Sequence, residues 1–330
     1  MFDFLNVRKL YKPSFVKLEA CSACNLRCKE CYMRKNEKNP NIIKPGYLKA
    51  KDFESFLIKN PFVKQIELSD NGEIFLNPEL GAIIRCATFH NVSLTCDNGC
   101  NFNRVSDDIL RDMVIFGSFK FIRFSIDGAS PETYSKYRVG GDFNKVIENI
   151  KKLNAYKKEY NSEAPLMVWQ YIIMESNCDI EEIRKAKRLA FELNMQILFK
   201  KDYCGFIPEN KKEIFDETGI SYDNDNLFND VEEKPYCCIG NIMCPQINYD
   251  GKFLFCCFKF LYEPLFDLNV FELGLEKVLR DKRVKTLRKL LMGKIKPTKE
   301  MYKQYPCLYC DEYKKMIKHN RFVKESDLKY

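Results

Sequence analysis

The chain has 330 residues, of which 45% are hydrophobic and 30% charged, with sixteen cysteines and a formal net charge of +8. This composition excludes a disordered chain, and the length suits one large α/β domain plus a smaller one. No signal-peptide pattern and no apolar run of roughly 18 residues is found, so we expect a cytoplasmic protein without a membrane span. Because cytoplasmic thiols stay reduced, so many cysteines exclude a disulfide framework and indicate metal binding.

Apolar runs alternate with helical patterns over the first part of the chain. Strands are predicted at Phe15–Ala20, Gln65–Ser69, Val92–Cys96, Phe119–Asp127, Leu166–Met174 and Met195–Lys200. Helices are predicted at Lys51–Lys59, Pro78–His90, Asp107–Phe116, Pro131–Tyr137, Phe143–Tyr160 and Asp179–Leu193. This alternation predicts a parallel sheet with right-handed crossovers, in which the chemistry takes place at the carboxyl ends of the strands.

The pattern changes after residue 200. Residues 209–233 are acidic and rich in asparagine, which predicts an irregular connection. Asp250-Gly251, between two short alternating runs, predicts a β-hairpin, and a helix is predicted from about Phe271 to Met292. We therefore expect a barrel core over residues 14–200, a connecting segment over 201–235, a second domain over 236–315 and a basic tail over 316–330.

The positive charge is concentrated towards the C-terminus. Residues 273–330 contain 17 Lys and Arg against 7 Asp and Glu. Two interpretations are open, a solvated lysine-rich helix face or a surface that docks an anionic partner. Such a partner would be a nucleotide-linked or phosphorylated small molecule, an acidic peptide or RNA.

Four cysteines lie within CSACNLRCKEC, residues 21–31, directly after the first predicted strand. A structural zinc ion is typically held by two separated pairs of ligands, whereas Cys24, Cys28 and Cys31 form a triplet on one short loop. Three thiolates on one loop favour an iron–sulfur cluster that keeps one iron open. We interpret Cys21 as a small buried residue.

The segment CNLRCKEC resembles the cluster loop of the radical S-adenosylmethionine (SAM) enzymes, and further motifs follow in that family's order. LSDNGEIFLNPEL at 68–80 is similar to its Gly-Gly-Glu strand end, and LTCDNG at 94–99 to its Thr-Asn-Gly segment. RFSIDGASPETYSKYRVGGDFNKVIENI at 123–150 resembles its fourth strand and the helix that follows. The resemblance covers residues 15–200 and implies a partial (β/α)6 TIM-like barrel.

The resemblance also implies a cofactor set. A 4Fe-4S cluster on Cys24, Cys28 and Cys31 would bind SAM and, with an electron from a donor such as flavodoxin or ferredoxin, cleave it to a 5′-deoxyadenosyl radical. The residues implied to contact SAM are Tyr32, Asn71, Gly72, Glu73, Ser125 and Arg138.

Specific roles are implied for three of these residues. Glu73 is expected to accept from the SAM ammonium, Ser125 to bind near the ribose or carboxylate, and Arg138 to pair with the carboxylate. The structural alternatives are a solvated strand-end acid, a buried strand serine and an exposed helix arginine. Glu30 stands where the family usually has an aromatic residue, so the adenine contacts are expected from backbone groups or from Tyr32.

The C-terminal cysteines resemble the twitch module, the short form of the SPASM extension, which binds one auxiliary 4Fe-4S cluster. The implied ligands are Cys238, Cys256, Cys307 and Cys310. The spacing leaves open the choice between Cys237 and Cys238 and between Cys256 and Cys257, and Cys244 is a further candidate. A zinc ribbon is the alternative, because two separated pairs of cysteines also fit it.

Three functions stay open. The first is a radical oxidoreductase, of dehydrogenase or epimerase type, that acts on a small carbohydrate- or cyclitol-like molecule with the auxiliary cluster as electron acceptor. The second is radical crosslinking, epimerisation or maturation of a peptide, and the third is a non-catalytic iron–sulfur sensor. The early position of Cys24 leaves no room for a leader-binding domain, which favours the small molecule. His90 is predicted at the end of the barrel away from the cysteine loop, outside any acid–base role.

Overall fold

The computed structural model describes residues 11–38, 43–202, 204–222, 244–255 and 266–319, together with residue 322. Eight strands in this part of the chain form one sheet, in the spatial order β6-β5-β4-β3-β2-β1-β7-β8. Their bounds are β1 (Phe15–Leu18), β2 (Gln65–Glu67), β3 (Ser93–Cys100), β4 (Phe119–Ser125), β5 (Leu166–Ile173), β6 (Gln196–Lys201), β7 (Gln246–Ile247) and β8 (Phe253–Leu254). Since β6 and β8 are the two edges, the barrel is open.

Strands β1 to β6 pair with their neighbours in parallel. Each connection between them contains at least one helix, because parallel strands need a long crossover. These helices are α1 (Tyr32–Lys35), α2 (Ala50–Lys59), α3 (Leu80–Phe89), α4 (Asp107–Ile115), α5 (Pro131–Tyr137), α6 (Phe143–Glu159) and α7 (Ile180–Glu192), and α8 (Lys211–Thr218) follows β6. The predicted partial (β/α)6 barrel is confirmed.

Local sequence explains where several helices begin. At the start of α4, the Ser106 side chain accepts from the backbone N–H of Ile109. At the start of α5, whose first residue is Pro131, Ser130 and Thr133 form a reciprocal capping box. Proline is favoured at a first helical position because it has no N–H to leave unsatisfied. These helix starts follow the carboxyl ends of β3 and β4, so both capped helix starts lie towards that end of the barrel.

The two faces of the sheet differ in polarity. Side chains alternate along each strand, and residues that pair in register share a face. The face towards the helices carries buried apolar residues such as Ile66, Leu94, Ile122 and Trp169, which belong to one continuous core. The inner face carries polar residues near the carboxyl ends of the strands, and these residues form the candidate site described below.

The predicted hairpin around Asp250-Gly251 is present. Strands β7 and β8 are antiparallel, and the turn is closed by hydrogen bonds from Asn248 N to the Lys252 oxygen and from Gly251 N to the Asn248 oxygen, both 2.9 Å. Gly251 has φ +84°, a left-handed conformation that favours glycine. Because β7 pairs with β1 in parallel, the hairpin extends the barrel sheet. The predicted domain boundaries near 200 and 235 stay predictions.

The single helix predicted over 271–292 is wrong. Three helices replace it, α9 (Val270–Leu273), α10 (Leu275–Arg280) and α11 (Lys282–Leu291), and α12 (Lys299–Gln304) and α13 (Asp311–Lys318) follow. Gly274 separates α9 from α10 with φ +79°, and Asp281 separates α10 from α11, where its side chain caps the backbone N–H of Arg283. None of the helices in the described residues has the length and apolar character needed to cross a bilayer.

Asn60 joins the C-terminal helices to the barrel. Its Oδ1 accepts from the backbone N–H of Leu275 at 2.9 Å, and its Nδ2 donates to the Phe56 carbonyl oxygen at 2.7 Å. Asn60 is only 1% exposed, so water cannot replace it as a partner. Phe271 packs edge-on against Phe56 next to it, with ring centroids 6.3 Å apart.

We expect Asn60→Ala to lower the free energy of unfolding by about 1–3 kcal/mol, because it leaves the buried Leu275 N–H without this acceptor, whereas the Phe56 carbonyl still accepts from the backbone N–H of residue 60. Urea unfolding followed by circular dichroism measures this change. The matched control is Asn144→Ala on the exposed side of α6, which should change the value by less than about 0.5 kcal/mol. Equal effects of the two substitutions would contradict the role of Asn60.

Candidate iron–sulfur and cofactor site

The cysteine loop connects β1 to α1 at the carboxyl end of β1, as predicted. Its backbone is held from two sides: the Ala23 oxygen accepts from Glu73 N at 2.8 Å, and Arg27 N donates to the Val139 oxygen at 2.8 Å. The first contact ties the loop to the end of β2 and the second ties it to the turn after α5. The loop therefore depends on segments that are distant in sequence.

The thiols of Cys24, Cys28 and Cys31 lie on this one loop. Cys28 is buried, and Cys24 and Cys31 are partly exposed. The backbone N–H of Cys31 donates to the Cys28 oxygen at 3.2 Å, which folds the Cys-x2-Cys pair into a tight turn. Hydrogen-bond donors reach two of the sulfurs: Leu26 N lies 3.5 Å from Cys24 Sγ, and Arg138 Nη1 lies 3.5 Å from Cys28 Sγ.

This donor set fits a cluster better than a single ion. Burial, partly offset by the hydrogen bond from Leu26 N and assisted by the negative charges of Glu73, Cys28 and Cys31, raises the pKa of Cys24 to about 11, so a bound metal centre would be needed to stabilise the Cys24 thiolate. Among the described residues, one group of three metal-binding donor atoms lies within 4.8 Å of one another, and it does not include these cysteines. The three sulfurs are thus spaced more widely than the ligands of one ion, and soft thiolates suit an iron–sulfur cluster.

Arg34 of α1 contacts the cysteine loop, a role that the sequence motifs did not indicate. From α1 its Nε donates to the Leu26 oxygen at 2.9 Å, and its Nη2 donates to the Cys24 oxygen. The guanidinium thus binds two carbonyl groups of the cysteine loop and fixes the backbone between the first two thiols. No spacing rule could have found Arg34, because it acts on backbone groups.

Asn71 and Gly72 lie where the loop after β2 meets the cysteine loop. The backbone N–H and side-chain amide of Asn71 both donate to Glu19 Oε2, at 2.8 and 3.0 Å. A Cβ on Gly72 would overlap the backbone carbonyl of Cys21. Gly72 therefore permits the close approach of the two loops, and Asn71 is committed to the buried Glu19 carboxylate.

Glu73 is 1% exposed and is not a solvated strand-end acid. Its carboxylate accepts from the backbone N–H of Asn101 at 2.6 Å and of Phe75 at 3.3 Å. Burial, partly offset by these hydrogen bonds, raises the pKa of Glu73 to about 7. Asn101 also donates from Nδ2 towards Cys24 Sγ at 3.7 Å, so one asparagine joins the carboxylate to the cluster loop.

Arg138 is the C-cap of α5, and its guanidinium is largely buried rather than exposed. Its Nε donates to Asp127 Oδ2 at 2.8 Å, and its Nη2 pairs with the same oxygen. Burial alone would lower the pKa of Arg138, but the charges of Asp127 and Cys28 outweigh burial and raise it. Arg138 is therefore a fixed cation beside a cluster ligand.

Asp127, which the motifs did not assign a role, holds this arginine. It is fully buried, has φ +56° just after β4, and its Oδ1 accepts from the Ile172 N–H of β5 at 2.7 Å. Glu67 acts in a similar way at the end of β2, where it accepts from the backbone N–H groups of Asp97 and Asn98. Strand-end acids in a barrel sequence could have suggested both residues.

Ser125 and Tyr32 occupy different environments. Ser125 ends β4 on the inner face and is buried next to Gly99, whose φ of +106° and missing side chain leave room for the serine Oγ. Gly99 lies in a register irregularity of β3 between Cys96 and Cys100, which is why β3 runs beyond its predicted end. Tyr32 follows Cys31 directly and is 40% exposed at the start of α1.

Charged side chains line the inner face near the carboxyl ends of β3 to β6. Arg123 pairs with Asp97, and Lys200 Nζ donates to Gln170 Oε1 at 2.8 Å. Burial lowers the pKa of Lys200, and the nearby positive charge of Arg123 lowers it further. Register places Arg123, Gln170 and Lys200 on the same face as Ser125, so the barrel interior is polar.

Of the predicted auxiliary ligands, the structure describes Cys307 and Cys310, whereas Cys238 and Cys256, like Cys237 and Cys257, lie outside the described residues. Cys307 and Cys310 sit at a 3-10 turn, Pro306–Tyr309, where Cys310 N donates to the Cys307 oxygen at 3.0 Å. The Cys28-Cys31 pair forms the same type of turn. Cys244, the further candidate, is partly buried just before β7.

The buried carboxyl of Glu73 should make stability depend on pH. Between about pH 4.5 and about pH 7 the native state keeps a proton that the unfolded state loses, so the free energy of unfolding should fall as the pH rises through this range. Over this pH range, we expect the free energy of unfolding of the cluster-free protein to fall by roughly 3 kcal/mol more than that of its Glu73→Gln variant. Urea unfolding of both proteins at several pH values measures the difference, and a constant difference would contradict the prediction.

No protein-family model and no curated protein matches this chain. Its structure is similar to SuiB of Streptococcus suis bound to S-adenosylmethionine, with a TM-score of 0.60 and 14% identity over 99% of this chain and 78% of that chain. BtrN with AdoMet and 2-DOIA has a TM-score of 0.44 (12% identity, 86% of this chain, 89% of that chain), too low to bear on the fold. The same holds for methylornithine synthase (PylB), with a TM-score of 0.39 (15% identity, 61% and 57%). With its cysteine loop at the carboxyl end of β1 of an open parallel barrel, this chain shares the fold of SuiB.

Proposed function

We propose that the protein is a radical SAM enzyme whose Cys24, Cys28 and Cys31 hold a 4Fe-4S cluster and whose substrate is a small polar molecule. The observation that carries the proposal is the placement of three thiols on one loop, beside a buried arginine, at the mouth of a polar barrel. When bound, the cluster and SAM would supply a 5′-deoxyadenosyl radical for hydrogen-atom abstraction. A one-electron donor such as flavodoxin or ferredoxin belongs to this proposal.

The residues of the chain have distinct roles in this proposal. The carboxyl group of Glu73 and the guanidinium of Arg138 would bind the ammonium and carboxylate of SAM, since both are buried near the cluster loop and their side chains are held by hydrogen bonds. Asp127 orients Arg138 and neutralises its charge while SAM is absent. Ser125, Asn71 and Gly72 would shape the cofactor pocket, and Tyr32 is placed for the adenine because it adjoins Cys31.

A polar substrate is supported by the inner face of the barrel. Arg123, Asp97 and Lys200 place three charges there. Gln246 of β7 is 2% exposed, and neither its amide oxygen nor its amide nitrogen has a hydrogen-bond partner among the described residues. Buried polar groups are normally satisfied, so hydroxyl or carboxylate groups of a carbohydrate- or cyclitol-like molecule would suit this face.

The proposal also includes an auxiliary 4Fe-4S cluster that accepts an electron from the substrate radical. Its support is the Cys307-x2-Cys310 turn, which repeats the hydrogen bond of the Cys28-x2-Cys31 turn. Cys238 and Cys256 are proposed from sequence spacing to complete the ligand set. The reaction would then be the oxidation of a hydroxyl group to a carbonyl group, with a hydrogen atom transferred from carbon to the 5′-deoxyadenosyl radical, one electron to the auxiliary cluster and the hydroxyl proton released to water.

Anaerobic reconstitution should give about eight irons and eight sulfides per chain, as expected for two cubane clusters. Cys28→Ala should remove about half of the iron and abolish SAM cleavage, because it removes a ligand of the SAM-binding cluster. Iron analysis and chromatographic detection of 5′-deoxyadenosine measure both effects. Cys21→Ala, in the same loop, is the matched control and should retain both. The absence of iron from the anaerobically reconstituted protein would refute the proposal.

Cys310→Ala should still cleave SAM but fail to form oxidised product, because the substrate radical would lack its electron acceptor. Deuterated sugars and cyclitols tested with the unaltered enzyme should transfer label to 5′-deoxyadenosine, which mass spectrometry detects. If only peptides transfer label to 5′-deoxyadenosine, peptide modification replaces the small-molecule reaction as the function of the protein. Absence of SAM cleavage by the reduced, two-cluster protein would favour the non-catalytic alternative.

A further inference from the structure

Helices α2 and α3 bring together three metal-binding side chains on the outside of the barrel. Glu54 lies on α2, whereas Cys86 and His90 lie at the C-terminal end of α3. One carboxylate oxygen, the Cys86 sulfur and one imidazole nitrogen all lie within 4.8 Å of one another. Because α3 leads into β3, this group is at the amino end of the strands, opposite the cysteine loop.

The spacing within the group has a helical origin. Cys86 and His90 are four residues apart, so they lie one turn apart on the same side of α3. The backbone N–H of His90 still donates to the Cys86 oxygen at 3.1 Å, which continues the helical hydrogen-bond pattern to the histidine. Glu54 approaches from the neighbouring helix. The relative positions of Cys86 and His90 thus follow from the helix, whereas the position of Glu54 follows from the packing of α2 next to α3.

His90 gives an independent reason to expect a ligand. Its Nε2 is buried and has no hydrogen-bond partner among the described residues. A buried nitrogen in this state costs free energy unless something binds it. The ring of Phe89 packs edge-on against the imidazole, with the ring centroids 5.2 Å apart.

The electrostatic surroundings favour a cation. The last turn of α3 contains no basic residue, so the negative end of its helix dipole is not compensated by its own side chains. The Glu54 carboxylate adds a full negative charge at the same place. A bound metal ion would neutralise both.

We propose that Glu54, Cys86 and His90 bind one Zn²⁺ ion, with water as the fourth ligand. One thiolate, one imidazole and one carboxylate form a donor set that suits Zn²⁺, whereas Mg²⁺ and Ca²⁺ prefer oxygen ligands. The ion would connect α2 to α3 and stabilise the barrel at the end opposite the cysteine loop. The site takes no part in radical chemistry and does not depend on the proposed function.

X-ray absorption at the zinc edge tests this site in the full-length, cluster-loaded protein, because iron does not contribute at that edge. Zinc analysis should find one ion per chain, and the spectrum should show one sulfur at about 2.3 Å and nitrogen or oxygen ligands at about 2.0–2.2 Å. His90→Ala and Cys86→Ser should each weaken zinc binding in chelator competition by more than the roughly 10- to 100-fold that outer-shell changes cost.

The controls separate this site from other zinc binding. His319→Ala, at the only other histidine, should leave the affinity unchanged. Glu54→Gln changes an exposed residue, so it tests the site even if the Cys86 or His90 variants fold poorly. Three or four sulfurs around zinc would place the ion in the cysteine loops and overturn the proposal. The proposal would also be overturned if the purified protein contained no zinc, or if none of the three ligand substitutions changed the affinity for zinc.

Discussion

The buried ion pair between Asp127 and Arg138 is the interaction on which the candidate site depends. It joins the end of β4 to the end of α5, and through Arg138 Nη1 it reaches the sulfur of Cys28. Losing one partner would leave the other as an uncompensated buried charge, a change that typically costs 3–5 kcal/mol. The pair therefore fixes the Arg138 guanidinium where a thiolate-bound cluster and an anionic cofactor group need a hydrogen-bond donor.

Buried carboxylates organise the carboxyl end of the barrel in a similar way. Glu19, Glu67 and Glu73 each accept backbone N–H groups from a neighbouring segment, so each acid joins chain segments at the carboxyl ends of two different strands. Such hydrogen bonds hold irregular loops in place without regular secondary structure. They also keep polar groups inside the barrel, which separates this end from the apolar layer between the strands and the helices.

The two ends of the barrel differ in chemistry. At the carboxyl end, thiols, acids and cations converge on an open, polar interior. At the amino end, Glu54, Cys86 and His90 lie between two helices on the outer surface. The C-terminal hairpin extends the same sheet through β7, and Asn60 ties the following helices to α2. One continuous hydrophobic core therefore supports the candidate site and the C-terminal helices.

The parallel barrel, the Asp250-Gly251 hairpin and the cysteine loop at the carboxyl end of β1 could be predicted from the sequence, because hydrophobic periodicity, turn residues and cysteine spacing are local properties. The break of the C-terminal helix at Gly274 and Asp281 was not predicted. The contributions of Asp127 and Asn101 to the site, and the contacts of Arg34 with the cysteine loop, are visible only in the folded chain. The same is true of the group formed by Glu54, Cys86 and His90. All these residues act through hydrogen bonds and packing between distant segments, for which a linear pattern contains no rule.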